Sequence, residues 1–494
     1  MSKILLINPS KWGRGITPIW ITSHSAVLKS KGHKVRLFDC TFFENWTVNE
    51  IKYNTENKQY KSSNYFDYIT YNKNDIMESL QAYIDEYEPD IIFWSAISSH
   101  IHGEGEYVNI QYGYQLMEKI NTKAMLVTGG LQVTADPDLM YSYFPSVDYF
   151  IRGETEFSLA NLVDEFPDDD NIKSKVNGLV YKENNIIKKN PHQEIIGNMN
   201  LIPMYDYSLF EDQQFYRPYN GKVIKGVDYE LSRGCPYTCT YCVETVIQKY
   251  YGFNEIVGNG ILRGVKKYLR NKSGKRVFDE MKYLYENYEI QYFRCQDTNF
   301  LTIDRKILEN LSQLLDSSDL NIMLYIETRP ESIKTNIIPL MKKLKIDGVG
   351  MGIELASEDF RKSSLNRYPS QEKIISAFKI LKEAGIKRTA YNIIGLPNET
   401  EKMILETIKF NQELEPDNIT VAFYSPYLGT PEQIKSKEIN DFDNYEYDVD
   451  GQIRTVSNST LVSQKYLKFY KKHFVEFVRD GFDRIDFLKD LEGL

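Results

Sequence analysis

Short apolar runs alternate with amphipathic stretches along the first third of the chain. KILLIN (3–8), VRLF (35–38), IIFWSA (91–96), AMLVTGG (124–130) and VDYFIRG (147–153) read as strands. Four of them are apolar at nearly every position, as parallel strands buried on both faces are. Between the first two, residues 18 to 31 predict a helix, with Pro18 in its first turn and Gly32 at its C-terminal cap. This is the alternation of a doubly wound, Rossmann-like α/β domain of five strands, over residues 1–170. Ligands of such domains sit at the carboxyl ends of the strands. Those ends read NPSKWGRG, SAISSHIHGEG, TGG and RGETE, whose small residues let a bulky ligand approach the backbone.

Residues 171–226 are more polar, with two apolar pieces, GLVY and LIPMYDY, and read as a connecting segment on the surface. From residue 227 the alternation restarts. Strands are predicted at DYELS (228–232), IQYFRC (290–295), IMLYIET (322–328), GVGMGIE (348–354), TAYNIIG (389–395) and ITVAFYS (419–425). Helical patterns separate them, for example SQEKIISAFKILKEAG, which stops at Gly385. Six such units over 227–430 predict a partial (βα)6 barrel of the TIM type, with its active site on the C-terminal rim. Residues 431–494 read as an irregular stretch and a helix from about Ser463 to Arg479, a small cap over the barrel mouth.

Composition narrows the class. Hydrophobic residues make up 42% and charged ones 26%, ordinary for a soluble globular protein. With 60 basic and 69 acidic residues the net charge is -9, which argues against nucleic acid as the partner. Lys266, Lys267, Arg270, Lys272, Lys275 and Arg276 form a local basic stretch that reads as a solvated helix face. Five cysteines make no disulfide framework. The opening MSKILLINPS is too short in apolar residues for a signal peptide, and no run approaches the ~18 residues of a membrane span. The expectation is a cytoplasmic, reduced protein with no membrane partner.

Three of the five cysteines fall in LSRGCPYTCTYCVE (231–244), spaced C-x3-C-x2-C. A structural zinc site normally pairs two cysteine knuckles or adds histidine, and the nearest candidate histidine is His192. A redox pair needs only two thiols. Three closely spaced thiolates, Cys235, Cys239 and Cys242, suit a [4Fe-4S] cluster that keeps one iron free of protein ligands. They follow the first barrel strand, on the functional rim.

At this point the chain resembles the radical S-adenosylmethionine (SAM) superfamily. The cysteine spacing with Tyr241 before the last cysteine carries the resemblance, with ordered companions at the strand ends: QDTNF (296–300), IETRPE (326–331), VGMGIELASE (349–358), IIGLPNET (393–400) and SPYLGTP (425–431). The resemblance implies that the three cysteines ligate the cluster and that SAM chelates its open iron. Reductive cleavage of SAM then yields a 5′-deoxyadenosyl radical, with the electron from an external donor such as flavodoxin or ferredoxin. It further implies that Glu354 accepts hydrogen bonds from the ribose and that Glu327 or Arg329 holds SAM's polar groups. Gly395 and Pro397 would shape the adenine side, with Tyr241 and Gln296 as further cofactor contacts. Taken as residues alone, Glu327, Arg329 and Glu354 also make a plain salt-bridge layer at the barrel mouth.

The first domain, through INPSKWGRGITP, KSKGHKVRLFD, TGG and DYFIRGETE, is similar to the cobalamin-binding domain of one radical SAM class containing methylases, a ring cyclase and ring-contraction enzymes. The resemblance places a cobalamin tail near Ser95, Thr128, Gly129 and Gly130. The plain alternative is a Rossmann-like domain with a vestigial site. The loop from Asn8 to Pro18 lacks the histidine of an Asp-x-His-x-x-Gly motif, so cobalt would have no such lower ligand. His100 and His102 read as loop hydrogen-bonders. Cys295 is a candidate hydrogen-atom donor or radical relay, or else a buried inert thiol; Cys40 reads as packing.

The implied activity is methylation of an unactivated carbon in a small-molecule substrate, with cyclisation, rearrangement or oxidation as the alternative. A non-enzymatic cobalamin carrier leaves the cysteine cluster without a role. Methylthiolation of tRNA would call for more N-terminal cysteines and a basic C-terminal module, whereas the tail FDNYEYDVDG is acidic.

Overall fold

The structure, a computed structural model, describes residues 1–97, 104–436 and 461–494. The first half contains, in chain order, β1 (Lys3–Asn8), β2 (Lys34–Asp39), β3 (Ile91–Trp94), β4 (Met125–Thr128), β5 (Tyr149–Ile151), β6 (Leu179–Glu183) and β7 (Ile186–Lys189). They form one sheet in the order β2-β1-β3-β4-β5-β6-β7, parallel through β5 and antiparallel thereafter. The five expected strands are present, but the sheet has seven. The segment 171–226 supplies the extra hairpin, closed by Asn184 and Asn185 at positive φ, the handedness that two-residue hairpin turns require.

The same segment supplies β8 (Tyr216–Tyr219), paired antiparallel to β9 (Lys222–Tyr229) across Asn220-Gly221, both at positive φ. This Asn-Gly turn starts the first barrel strand several residues before the expected 228–232. Short pairs follow: β10 (Ser232–Arg233) with β13 (Arg270–Asn271), and β11 (Ile256–Val257) with β12 (Ile261–Leu262). The barrel strands continue as β14 (Tyr292–Cys295), β15 (Met323–Thr328), β16 (Ile346–Glu354), β17 (Lys387–Ile394) and β18 (Asn418–Phe423). Their order, β18-β17-β16-β15-β14-β9-β8, is that of an open, partial barrel with six parallel strands and one antiparallel edge.

The two sheets share a core. Ile4, Leu6 and Trp20 belong to the same buried cluster as Val227, Phe293, Ile326 and Val349. The helix Ile19–Ser30 is buried from Ile19 through Leu28, including Thr22, Ser23, His24 and Ser25, and the connecting segment crosses it with Asp206 N donating to Thr22 O at 3.1 Å. The C-terminal helix Gln464–Asp480 packs Leu467, Phe474 and Phe477 against Val421 and Phe423 of β18 and Ile404 and Ile408 of the preceding helix. The C-terminal helix thus covers the outside of the sheet, because its apolar face matches that of β18, whereas the start of the segment reaches the cysteine loop, with Glu432 N donating to Thr240 O at 3.0 Å. The irregular stretch with Phe442, Tyr445 and Tyr447 lies outside the described residues.

Candidate functional site

The cysteines leave β10 in a loop that other elements hold by its backbone. Thr238 N donates to Gly260 O at 2.9 Å and Leu262 N to Pro236 O at 2.9 Å, so the β11–β12 hairpin is stitched to the loop. Glu244 accepts from Cys235 N at 3.0 Å and from the Tyr268 hydroxyl at 2.6 Å; Gln248 Nε2 donates to the carbonyls of Cys235 and Tyr237 at 3.0 and 2.9 Å. Cys235 and Cys239 are buried and Cys242 is partly exposed. Burial first, then the charges of Glu244 and Cys239, push the Cys235 thiol well up; burial and the same neighbours do so at Cys242. As bare thiolates the three would repel one another, a cost that binding to cationic iron removes. Among the described residues, no group of three or more His, Cys, Asp or Glu side chains surrounds a point as one metal ion requires. A cubane asks for a different arrangement, since each thiolate binds its own iron.

Around Cys239 stands a compact set of charges. Arg329 and Arg367 each bring Nη1 to 3.9 Å from its sulfur. Arg329 lies over the Tyr237 ring at 3.7 Å and pairs with Glu331 at 2.6 Å. Glu354 ends β16 at φ +64, in the left-handed region, which turns its carboxylate back. Its Oε1 accepts from the Tyr241 hydroxyl at 2.8 Å and faces Arg367 at 3.3 Å. Arg367 also donates to Gly352 O at 2.6 Å, and burial pushes the Tyr241 hydroxyl up. Tyr241, Arg329 and Glu354 therefore gather at the cysteine loop, where the carboxylate is a ready acceptor for vicinal hydroxyls.

The other expected residues separate. Glu327 lies deeper, 3.1 Å from the Tyr391 hydroxyl and 3.5 Å from Arg294. Gln296 donates to Asp228 at 2.6 Å; Asp228 in turn accepts from Thr17 N at 2.9 Å and faces Arg217 at 3.2 Å. Gly395, at φ +82, gives its N–H to Glu399, whose carboxyl burial raises to about 8. Cys295 does not enter the barrel. It is fully buried in the apolar core with Phe293, on the strand face opposite Arg294 and Gln296, so it is a packing thiol and not a relay. Cys40 is likewise core.

At the first domain's strand ends, Ser95, Thr128, Gly129 and Gly130 come together. Gly129 N donates to Ser95 O at 3.0 Å, and a Cβ on Gly130 (φ +108) would meet Ser95 Oγ at 2.9 Å. Thr128 Oγ1 donates to Trp94 O, so its hydroxyl serves the fold. Directly beyond, the side-chain amide of Gln132 is buried with no partner, as a ligand-facing group would be in the absence of its ligand. His100 and His102 lie outside the described residues. The RGETE acids, by contrast, face the barrel. Glu156 pairs with Arg233 at 2.6 Å, Glu154 with Arg270 at 2.7 Å, and Arg233 with Glu230 at 2.8 Å. Burial would raise the Glu156 carboxyl, but Arg233 and His24 hold it down at about 2. The basic stretch is accordingly split, with Lys266 and Lys267 exposed but Arg270 and Lys272 buried against Glu154 and Glu280.

Arg367, Glu244 and Gln132 escaped the sequence reading. Glu244 stood in plain sight two residues after Cys242; burial raises its carboxyl to about 7. Arg367 sits in a linker between helices and carries no periodic signal.

Residues 229–410 match the Radical SAM superfamily. The barrel region of the chain is thus similar to that superfamily, whose members hold a [4Fe-4S] cluster and SAM. More particular kinships reach into the first domain as well. The chain is 27% identical over 350 residues to an uncharacterised methyltransferase of Pyrococcus horikoshii, covering 70% of this chain and 69% of that one. It is 26% identical over 387 residues to the anaerobic magnesium-protoporphyrin IX monomethyl ester cyclase of Rubrivivax gelatinosus, covering 76% of this chain and 64% of the cyclase. Its fold matches the radical SAM methyltransferase TsrM of Kitasatospora setae, solved with cobalamin and a [4Fe-4S] cluster, at a TM-score of 0.62, 18% identity, and coverage of 88% and 75%. The cobalamin-dependent SAM radical enzyme OxsB matches at a TM-score of 0.59 and 15% identity, covering 92% of this chain and 64% of that one. No helix among the described residues is long and apolar enough to cross a membrane.

Proposed function

We propose that this chain is a cobalamin-dependent radical SAM enzyme that methylates an unactivated carbon of a small molecule. The observation that carries the proposal is the joining of two unlike strand-end sites. The thiol- and charge-lined rim of the barrel is tied by Glu156–Arg233 and Glu154–Arg270 to a domain whose β3 and β4 ends, Ser95 and Thr128–Gly130, are small and uncharged. Cluster and SAM supply a carbon-centred radical, and cobalamin supplies a methyl carrier. The chain's own residues do the rest. Cys235, Cys239 and Cys242 hold the cluster, Glu354 takes the ribose hydroxyls with Tyr241 and Arg367 fixing its carboxylate, and Ser95, Thr128, Gly129 and Gly130 border the corrinoid. Gly395 shapes the adenine side, and Gln296 is a further cofactor contact. An external one-electron donor such as flavodoxin or ferredoxin completes the set.

Turnover with methyl-deuterated SAM tests the reading. Label in the product, with S-adenosylhomocysteine and 5′-deoxyadenosine formed together, is expected. Deoxyadenosine formation without label in the product would favour the second reading, cyclisation or rearrangement, which the similarity to the cyclase supports.

A further inference from the structure

Gln132 is the second residue of the helix Leu131–Ala135, which starts at Gly130 immediately beyond β4. Its neighbours Leu131 and Val133 lie in the apolar core, and the helix packs on Glu244–Tyr250, the helix that leaves the cysteine loop. Gln132 therefore sits on the element that lies between the two strand-end sites. It is 2% exposed, and neither Nε2 nor Oε1 has a hydrogen-bond partner. Among the buried side chains of the described residues it is the one left with both of its polar atoms unpartnered.

A buried amide with no partner destabilises the fold, whereas leucine would fill a similar volume among apolar neighbours without that penalty. An amide at this place fits a neutral ligand that offers a donor and an acceptor side by side. The rim of a corrin ring carries primary carboxamides, which do so. We infer that Gln132 binds cobalamin by pairing its amide with a carboxamide on the corrin rim, donor to acceptor and acceptor to donor. The inference rests on the corrinoid reading above. The neutral pairing also suits the immediate neighbours of Gly129 and Gly130, which are Ser95, Thr155 and the Ile151 carbonyl.

The test uses the full chain, iron-loaded, with Gln132→Leu and Gln132→Met. Without cobalamin, both variants are expected to unfold roughly 2–4 °C higher than the unsubstituted protein, because the orphaned amide is gone. In titrations with aquacobalamin followed by absorbance, both are expected to bind about tenfold or more weakly. Iron content per chain reports that the barrel is intact. A glutamine that merely packed would lower the unfolding temperature on substitution. Variants that bind aquacobalamin as tightly as the unsubstituted protein, or that unfold lower without it, overturn the inference. Absence of any uptake by the unsubstituted protein overturns the corrinoid reading itself, and the inference with it.

Discussion

The two parallel sheets of this protein present opposite chemistries at their carboxyl ends. The barrel offers three thiols, two guanidiniums and two carboxylates within one cluster of contacts. The first domain offers serine, threonine, two glycines and an unpartnered amide. On the function proposed above, the same architecture serves two kinds of ligand. One is chelated and charged, and is held by groups that must be fixed in position. The other is bulky and neutral, and is admitted mainly by leaving room. Chelation comes from a compact stretch of sequence, room from several distant loops closing together, and buried ion pairs fix one site relative to the other.

The largest expected effect breaks the charged end. Cys239→Ala removes a ligand that no other side chain replaces, so iron content and SAM cleavage are both expected to fall to background. A variant that kept about four irons and cleaved SAM normally would sink the assignment. Next comes the link between the ends. Glu156→Gln leaves Arg233 buried with one fewer counter-charge, and a loss of about 3–5 kcal/mol in denaturant unfolding is expected. Glu354→Gln should sharpen the comparison by a smaller amount. The amide cannot accept as a carboxylate does, so SAM affinity should fall about tenfold while iron content stays unchanged.

The smallest effect concerns pH. His24 gives its Nδ1 proton to Trp20 O at 2.6 Å and receives the Thr155 hydroxyl at Nε2, 2.8 Å away. Burial holds the imidazole below its ordinary 6.5. The folded state therefore resists a proton that the unfolded chain takes up. The contribution is fully present above 6.5 and is lost as pH falls toward the folded value, with a slope of at most about 1.4 kcal/mol per pH unit. His24→Asn should flatten the stability profile in that window; an unchanged slope would assign the pH dependence elsewhere.

Much of this was legible in the sequence where the signal is local. The C-x3-C-x2-C spacing, the strand-end blocks and the Gly385 stop all rest on neighbours in the chain, and the structure places Tyr241, Arg329 and Glu354 around the cysteine loop. The failures have physical causes as well. The Asn220-Gly221 turn was passed over, so the first barrel strand was begun too late. Of the two readings of Cys295, its place in the core beside Phe293 favours the buried thiol; in the sequence, Arg294 and Phe293 do not by themselves say which side is core. Arg367 reaches Glu354 from a linker, and Glu154 and Glu156 turn toward the barrel because Arg233 and Arg270 wait there. No periodicity encodes such long-range pairings.

The central claim is that one chain houses two cofactors at two unlike strand-end sites. Anaerobic loading with iron, sulfide and cobalamin, followed by metal analysis and electron paramagnetic resonance of the cobalt(II) state, tests it most directly. About four irons and one cobalamin per chain are expected, with no nitrogen splitting on cobalt, since the loop from Asn8 to Pro18 offers no histidine. Iron uptake without any cobalamin would contradict the account, leaving a radical SAM barrel beside a domain that holds no corrinoid.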